Sequence, residues 1–166
     1  AALIQFFRYS SSDQEKTVVA VLNSFRDHRQ DGLLRWSVFD ICATLPEALK
    51  LTKFSFDAGK FSLGFAHGKQ STYLHRWAPA AALLNRGDLS AFAQKVPEFS
   101  AGQPRSQVID GYDALDWCVS PASDWQRRMS RFKPNPSFFW YRIWHVTEKN
   151  RILGIRSESK YPLDAQ

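Results

Sequence analysis

The sequence has few cysteines and no pattern of cysteine and histidine that would bind a metal. Cys42 and Cys118 each lie among apolar residues, and the four histidines are scattered. Structural zinc sites need four such ligands at short spacings, so no zinc site is expected. Two buried free thiols in a reducing compartment are the simplest interpretation, with a disulfide in a secreted chain as the alternative. We therefore expect a cytoplasmic protein.

The sequence also lacks long apolar runs and the common phosphate-binding loops. No run approaches the roughly 20 apolar residues that a membrane-spanning helix needs, so no membrane insertion is expected. Neither GxxxxGK[ST] nor GxGxxG occurs, and no Gly-x-Ser-x-Gly nucleophile elbow is present. Without repeats or low-complexity segments, the chain is expected to form one domain, 1–166.

Positive charge is unevenly distributed along the chain. The net charge is +6, and nine basic residues stand against three acidic ones between 123 and 160, so the rest of the chain is close to neutral. Such asymmetry favours a polyanionic partner, such as DNA, RNA, a nucleotide or an anionic membrane surface. The alternative is a solvated surface that only keeps the protein soluble.

Periodicity and turn residues predict helices and strands that interleave irregularly. The predicted strands are 4–9, 33–41, a hairpin over 54–65 around Asp57-Ala58-Gly59, and a pair formed by 137–146 and 151–157. The predicted helices are one that begins at Ser12–Glu15, one turn at Pro46, and 77–84, 88–95, 110–119 and 121–132. We therefore expect an α+β fold, with a small mixed sheet and surrounding helices.

The first candidate site lies where the sequence predicts that a strand ends and a helix begins, within 69–80. The free N–H groups of a helix N-terminus attract phosphate. Arg76 could add a bidentate contact, and His75 could transfer a proton near neutral pH. The predicted nucleotide-binding residues are Lys69, Ser71, His75 and Arg76. The alternative is a surface arginine beside a half-buried histidine.

The order of residues in this segment resembles the ParB/sulfiredoxin superfamily. Its members have a strand, a Gly-x-[Arg/His]-Arg turn and a helix, often followed by a glycine and Val-Pro. Here His75-Arg76-Trp77, the run 78–84, Gly87 and Val96-Pro97 keep that order, and the resemblance covers 13–97.

The resemblance implies a ParB/sulfiredoxin-like core that binds nucleotide phosphates. It also implies catalytic roles for His75 and Arg76, with Glu98 as a carboxylate beside them. Tyr73 stands where the family has its first glycine, and Leu74 stands where sulfiredoxins have their catalytic cysteine. Reduction of a sulfinic acid is therefore excluded at this position.

The second candidate site is the basic, aromatic segment 107–160, predicted to be a helix-and-hairpin extension of the core. Arginines four apart share one helix face, arginine suits phosphate, and aromatic rings can stack on unpaired bases. The predicted nucleic-acid-binding residues are Arg127, Arg128, Arg131 and Lys133. Strand alternation places Phe139, Tyr141 and Ile143 opposite to Phe138, Trp140, Arg142 and Trp144, and core packing is favoured for these rings.

Acidic residues are the weakest support for a nuclease, because metal-dependent cleavage of phosphodiesters needs converging carboxylates. The candidates are Asp40, Glu47, Asp57, Glu98, Asp110, Asp113 and Asp116. Asp113 and Asp116 would share a face of the predicted helix 110–119, with Asp110 one turn earlier. Such a face could equally neutralise the arginine helix. No nuclease motif is present, and no metal ligand is assigned.

A ParB/sulfiredoxin-like core with a basic extension is similar to the plasmid fertility-inhibition (oncogenic-suppression) proteins of that superfamily. The resemblance implies a bacterial, cytoplasmic DNase that binds or hydrolyses ATP and inhibits conjugative DNA transfer. It also allows Mg²⁺ as a cofactor. Its partners would be DNA and components of the conjugation machinery. The alternative is a non-enzymatic regulator that binds DNA or a protein through the basic C-terminal surface. The residues leave open whether the chain is an enzyme.

Overall fold

Antiparallel strands joined by short turns form most of the secondary structure. The computed structural model describes residues 32–85, 87–99, 102–123, 128–129 and 135–163. Its strands are β1 (Leu33–Val38), β2 (Ile41–Pro46), β3 (Lys50–Asp57), β4 (Lys60–His67), β5 (Gln70–Trp77), β6 (Arg105–Ile109), β7 (Tyr112–Val119), β8 (Phe138–Val146) and β9 (Arg151–Ser159). Two short helices, α1 (Ala80–Leu84) and α2 (Leu89–Lys95), and a 3₁₀ turn (Pro97–Phe99) lie between β5 and β6, and a second 3₁₀ turn (Thr147–Lys149) joins β8 to β9.

The last strand, β9, joins two halves of a seven-stranded antiparallel sheet. The strand order is β3-β4-β5-β9-β8-β7-β6, so each half consists of three consecutive strands. Ile155 of β9 lies opposite Leu74 of β5 on one side and Arg142 of β8 on the other. Strands β1 and β2 pair only with each other and form a separate two-stranded sheet. The large sheet is therefore continuous only when β9 has paired on both sides.

Alternation of side chains gives the large sheet two faces with separate cores. We call the helix face the side that carries Trp77 and Ile143, against which α1, α2 and the first 3₁₀ turn pack. We call the hairpin face the opposite side, where the β1–β2 hairpin covers Phe65 and Leu74. Burial of apolar surface on both faces is the main source of stability in such a layered arrangement.

Gly154, in the middle of β9, allows the helix-face core to pack closely on the sheet. A Cβ atom at this position would lie 2.8 Å from Cζ3 of Trp77 and 3.1 Å from Cζ of Phe99. The two rings therefore occupy the space that any other side chain at this position would need. Phe99 in turn lies edge-on against Trp77, with ring centroids 5.6 Å apart.

The expected α+β fold, a small mixed sheet with surrounding helices around a ParB/sulfiredoxin-like core, is wrong. Every strand pair in the described part of the chain is antiparallel, and the two helices have 5 and 7 residues. The protein is mostly β because its apolar residues recur every second position over much of the chain, which is the period of a strand.

Two segments differ from the prediction in type or in bounds. The predicted helix 110–119 is strand β7, preceded by a turn in which Asp110 and Gly111 have φ angles of 50° and 84°. Two consecutive residues with positive φ are typical of the tight turn of a two-residue hairpin, here between β6 and β7. The predicted strand 33–41 is interrupted by a turn at Phe39, with a φ of 51°, so it forms two strands.

Several local predictions are confirmed. The hairpin around Asp57-Ala58-Gly59 is β3–β4, and the predicted strand pair in the C-terminal quarter is β8–β9. Asp88 caps α2, where its side chain accepts a hydrogen bond of 2.7 Å from the backbone N–H of Ala91. The predicted helix 77–84 is shorter, because Trp77 belongs to β5, and Pro46 ends β2 rather than starting a helical turn. The predicted strand 4–9, the helix that begins at Ser12 and most of 121–132 lie outside the described residues.

Substitution of Gly154 by alanine tests the close packing of the helix face. We expect Gly154→Ala to lower the free energy of unfolding by about 1–3 kcal/mol, because the rigid Trp77 and Phe99 rings must move. Urea unfolding followed by tryptophan fluorescence measures this change. Val108→Ala, at an exposed position of β6, is the control and should change stability by less than about 0.5 kcal/mol. Equal stability of Gly154→Ala and the unchanged protein would contradict the packing described.

Candidate functional site

A polar pocket lies on the helix face where the helices leave β3, β4, β5 and β9 uncovered. Its volume is about 230 Å³. Three cationic side chains, two serines, a tyrosine, a histidine and a carboxylate contribute to its lining, which consists of Lys53, Phe54, Ser55, Lys60, Ser62, Gly64, Tyr73, His75, Glu98 and Arg156.

The antiparallel register brings these residues together in two rows across four strands. Residues directly opposite each other in an antiparallel pair share a face of the sheet. One row consists of Lys53, Gly64, Tyr73 and Arg156, and the next consists of Ser55, Ser62, His75 and Gly154. Lys60 lies in the following row, and Glu98 reaches the pocket from the first 3₁₀ turn.

Gly64 lines the pocket beside Tyr73, which lies directly opposite it on β5. A Cβ atom at Gly64 would be 3.0 Å from Cε1 of Tyr73 and 3.3 Å from Cβ of Lys53. A side chain at this position would therefore fill the space between the lysine and the tyrosine. The glycine has a packing role here rather than a conformational one.

His75 is the most buried polar side chain of the pocket, with only 5% of its surface exposed. Its Nδ1 lies 2.9 Å from Oγ of Ser62, and its ring stacks at 5.2 Å on Trp77 and lies edge-on at 5.5 Å from Phe99. Its Nε2 is buried and has no hydrogen-bond partner in the described part of the chain. Buried polar atoms are nearly always satisfied in folded proteins, so the unpaired Nε2 of this pocket-lining residue stands out.

The pKa of His75 is lowered to about 4, so this imidazole is neutral at physiological pH. Burial is the main cause, because desolvation disfavours the charged form. The nearby cations Lys60 and Arg156 lower the pKa further, whereas Glu98 opposes them.

Two of the three cations in the pocket are paired with carboxylates of the same chain. Lys60 donates to Oε1 of Glu98, and Nη2 of Arg156 lies 2.5 Å from Oε2 of Glu158. Partial burial opposes ionisation of Glu98, but the hydrogen bond from Lys60, a backbone hydrogen bond and the nearby positive charge together outweigh it, so the pKa of Glu98 is lowered. No ion pair is found for Lys53 among the described residues.

The arrangement is suited to binding an oxyanion. Lysine, arginine, serine and tyrosine side chains are all hydrogen-bond donors, and the cations supply attraction in a partly desolvated place. Ser62 and His75 resemble the first two members of a nucleophilic triad. A triad also needs a third group that orients the second imidazole nitrogen, and Nε2 of His75 has no such partner among the residues that the structure describes.

The structure brings together only some of the residues predicted from the sequence. His75 and Glu98 line the same pocket. Lys69 lies in the turn between β4 and β5, where its Nζ donates to the hydroxyl of Tyr161 at 3.3 Å. Ser71 shares the helix face with His75 but lies outside the pocket lining.

Arg76 lies on the hairpin face, because adjacent residues of a strand point to opposite sides. Its Nε lies 3.2 Å from Oδ2 of Asp40, a carboxylate that Arg151 also contacts. This pair of arginines anchors the β1–β2 turn to the large sheet. The structure therefore separates Arg76 from His75, whose catalytic and nucleotide-binding roles were predicted together.

The helix after Arg76 does not offer the free N–H groups that the sequence predicts. The N–H groups of Ala80 and Ala81 donate to the backbone oxygen and to Oδ1 of Asn150, each at 2.8 Å. The expected phosphate position at this helix start is thus already occupied by an asparagine of the chain.

The predicted basic surface is described only in part. Arg128 is exposed, whereas Arg127, Arg131 and Lys133 lie outside the described residues. Other arginines of the basic C-terminal quarter are paired inside the fold, Arg142 with Asp116 at 2.5 Å and Arg151 with Asp40. Part of the positive charge of this quarter therefore stabilises the sheet and its attached hairpin instead of forming one patch.

The acidic candidates do not converge in the part of the chain that the structure describes. No group of three or more histidine, cysteine, aspartate or glutamate side chains that could hold a metal ion is found there. Asp113 and Asp116 point to opposite faces of β7, so the predicted carboxylate face is wrong. Glu47, Asp57 and Asp110 lie at strand ends and turns and do not line the pocket, although Asp57 lies directly opposite the lining residue Lys60.

The two cysteines are free but not buried as expected. Both Cys42 and Cys118 are exposed, each on a strand position that faces outward. None of the helices described is long and apolar enough to span a bilayer.

Sequence reasoning missed six polar residues of the pocket, Lys53, Ser55, Lys60, Ser62, Tyr73 and Arg156. They lie on four strands, and no sequence spacing connects Tyr73 and Arg156 with the others. The alternation of polar residues at 53, 55, 60 and 62 around the predicted hairpin is a signal that could have placed these four on one face.

The low pKa of His75 predicts a specific loss of stability in mild acid. An unfolded histidine binds a proton near pH 6.5, whereas folded His75 resists protonation until about pH 4. The free energy of unfolding is therefore unaffected by His75 above pH 6.5, and it falls by up to about 3 kcal/mol as the pH decreases to 4.

Unfolding by urea between pH 7.5 and 4.5, with NMR titration of the His75 ring, measures this loss. His75→Gln should make the free energy of unfolding less dependent on pH in this interval. His67→Gln, at an exposed position, should leave that pH dependence unchanged. A His75 resonance that titrates near 6.5 would contradict the burial described.

No family model, curated protein or solved structure matches the chain.

Proposed function

We propose that the chain binds a phosphate group of a nucleic acid or nucleotide in the pocket lined by Lys53, His75 and Arg156. The observation that carries this proposal is the convergence of three cations on one concave surface together with a buried histidine nitrogen that has no partner among the described residues. Anions bind where hydrogen-bond donors and positive charge meet in a partly desolvated place.

The size of the pocket supports a single small anionic group. Pockets for drug-sized ligands usually measure about 300–1,000 Å³. The volume of about 230 Å³ is smaller, so a phosphate group fits the pocket while the rest of a nucleotide or nucleic acid would lie outside it. The net charge of +6 favours such polyanionic partners by long-range attraction.

The proposal keeps DNA as the partner and does not require catalysis. In this form the protein is a non-enzymatic binder of nucleic acid, like the alternative that the sequence left open, but it binds through this pocket rather than through the basic C-terminal surface. The DNase activity, the use of ATP, the inhibition of conjugative transfer and the cytoplasmic location stay predictions that rest on the sequence.

Replacement of Lys53 by alanine tests the proposed pocket. Because Lys53 is exposed and has no ion pair among the described residues, Lys53→Ala should leave the fold intact and weaken binding of a fluorescent single-stranded DNA about tenfold, as for the loss of one charged hydrogen bond. Fluorescence anisotropy at low ionic strength measures the change.

Lys69→Ala is the matched control, because it removes the same charge from the turn between β4 and β5, outside the pocket. It should change the affinity less than twofold. Equal weakening by both variants would mean that only net charge matters, and no binding by the unchanged protein would overturn the proposal.

The predicted nuclease activity is tested by incubating labelled linear DNA with the protein, with and without Mg²⁺ and ATP. The resemblance predicts Mg²⁺-dependent loss of full-length DNA that His75→Gln and Glu98→Gln abolish. Intact DNA combined with binding that weakens as salt increases would contradict the nuclease and support the non-enzymatic binder.

A further inference from the structure

The charges around the pocket almost cancel. Glu98 accepts from Lys60, and Glu158 pairs with Arg156, so these four side chains together are neutral. Tyr73 adds no charge, because its hydroxyl donates to Oε1 of Glu158 at 3.3 Å and its pKa is raised by burial and by Glu158. Lys53 then supplies one net positive charge.

His75 contributes hydrogen bonding without charge. When the hydroxyl of Ser62 donates to Nδ1, the ring proton lies on Nε2, which has no partner among the described residues. Burial and the neighbouring cations keep the imidazole neutral well below pH 7. The pocket therefore offers several hydrogen-bond donors but only one uncompensated charge.

We propose that the pocket selects a singly charged phosphodiester, as found in the backbone of a nucleic acid, over the doubly charged phosphate monoester at the end of a nucleotide. This inference rests on the proposed function and specifies the ligand of the same pocket.

The physical reason is the cost of burying a second negative charge. The first negative charge of a phosphate neutralises the positive charge that Lys53 leaves uncompensated. A second negative charge on the phosphate must also lose water. It gains little attraction in return, because the net charge of the pocket is then close to zero and the carboxylate of Glu98 lines the same pocket. A diester avoids this cost and still has two free oxygens that accept hydrogen bonds.

The position of the pocket also suits a continuing polymer. Strand β3 is the outer strand of the large sheet in the described part of the chain, and its residues Lys53 and Ser55 line the pocket. The pocket therefore reaches the edge of the sheet, past which a nucleic-acid backbone can enter and leave. A ligand that ends at its phosphate makes no use of this opening.

The experiment compares two ligands that differ by one methyl group and one charge. Thymidine 5′-phosphate and its methyl ester are titrated by calorimetry at pH 8, where the monoester is doubly charged because its second pKa is about 6. We expect the methyl ester to bind at least about fivefold more tightly. Tighter binding of the monoester would overturn the inference but leave the proposed function standing, and binding of neither ligand would overturn both.

The pH dependence of ligand binding by the unchanged protein tests the inference without any variant. Binding of thymidine 5′-phosphate should strengthen severalfold from pH 8 to 5, because the ligand becomes singly charged below about pH 6. Binding of the methyl ester should stay constant, because His75 remains neutral and Glu98, whose pKa is lowered, remains ionised over this range. A monoester affinity that stays constant or falls would contradict the inference.

Glu98→Gln tests the origin of the selectivity. This change keeps the shape of the side chain but leaves the charge of Lys60 unopposed, so the preference for the diester should be lost. Glu47→Gln removes an exposed carboxylate outside the pocket and should leave the preference unchanged. An unchanged preference in a folded Glu98→Gln protein would show that charge cancellation does not set the selectivity.

Discussion

The pairing of β9 with both β5 and β8 is the constraint on which the rest of the structure depends. It connects two three-stranded halves that the chain forms separately, and it places Gly154 beneath the rings of Trp77 and Phe99. The same pairing brings Arg156 beside Tyr73 and completes the row that begins at Lys53. Core and pocket therefore depend on the same register, and a shift by one residue would move Arg156 to the hairpin face.

Electrostatic pairing inside the fold decides how much of the positive charge remains available. Arg76 and Arg151 share Asp40, Arg142 pairs with Asp116, and Arg156 pairs with Glu158. Each pairing places a carboxylate beside a partly buried guanidinium and so offsets part of the cost of its desolvation. The basic character seen in the composition is therefore only partly a property of the surface, and the pocket retains little net charge despite its three cations.

The sequence predicted the features that depend on local chemistry. The β3–β4 and β8–β9 hairpins follow from alternating residues around recognisable turns, and the α2 cap follows from Asp88 three residues before Ala91. The β6–β7 hairpin was missed because residues 110–119 were predicted to form a helix. The Asp110-Gly111 pair, followed by alternating Leu115, Trp117 and Val119, is the stronger signal, because a turn with two positive φ angles commits the chain to a hairpin.

By itself, the sequence determined the β3–β4 and β8–β9 turns, the cap of α2, the alternation along β8 and the choice of His75 as a candidate. Each depends on residues within a few positions of one another or on the chemistry of a single side chain. Only the tertiary structure decided that Arg76 faces away from His75 and that Lys53, Ser62 and Arg156 meet beside it. Strand order and burial depend on pairing between distant segments, and no local pattern specifies which strands become neighbours.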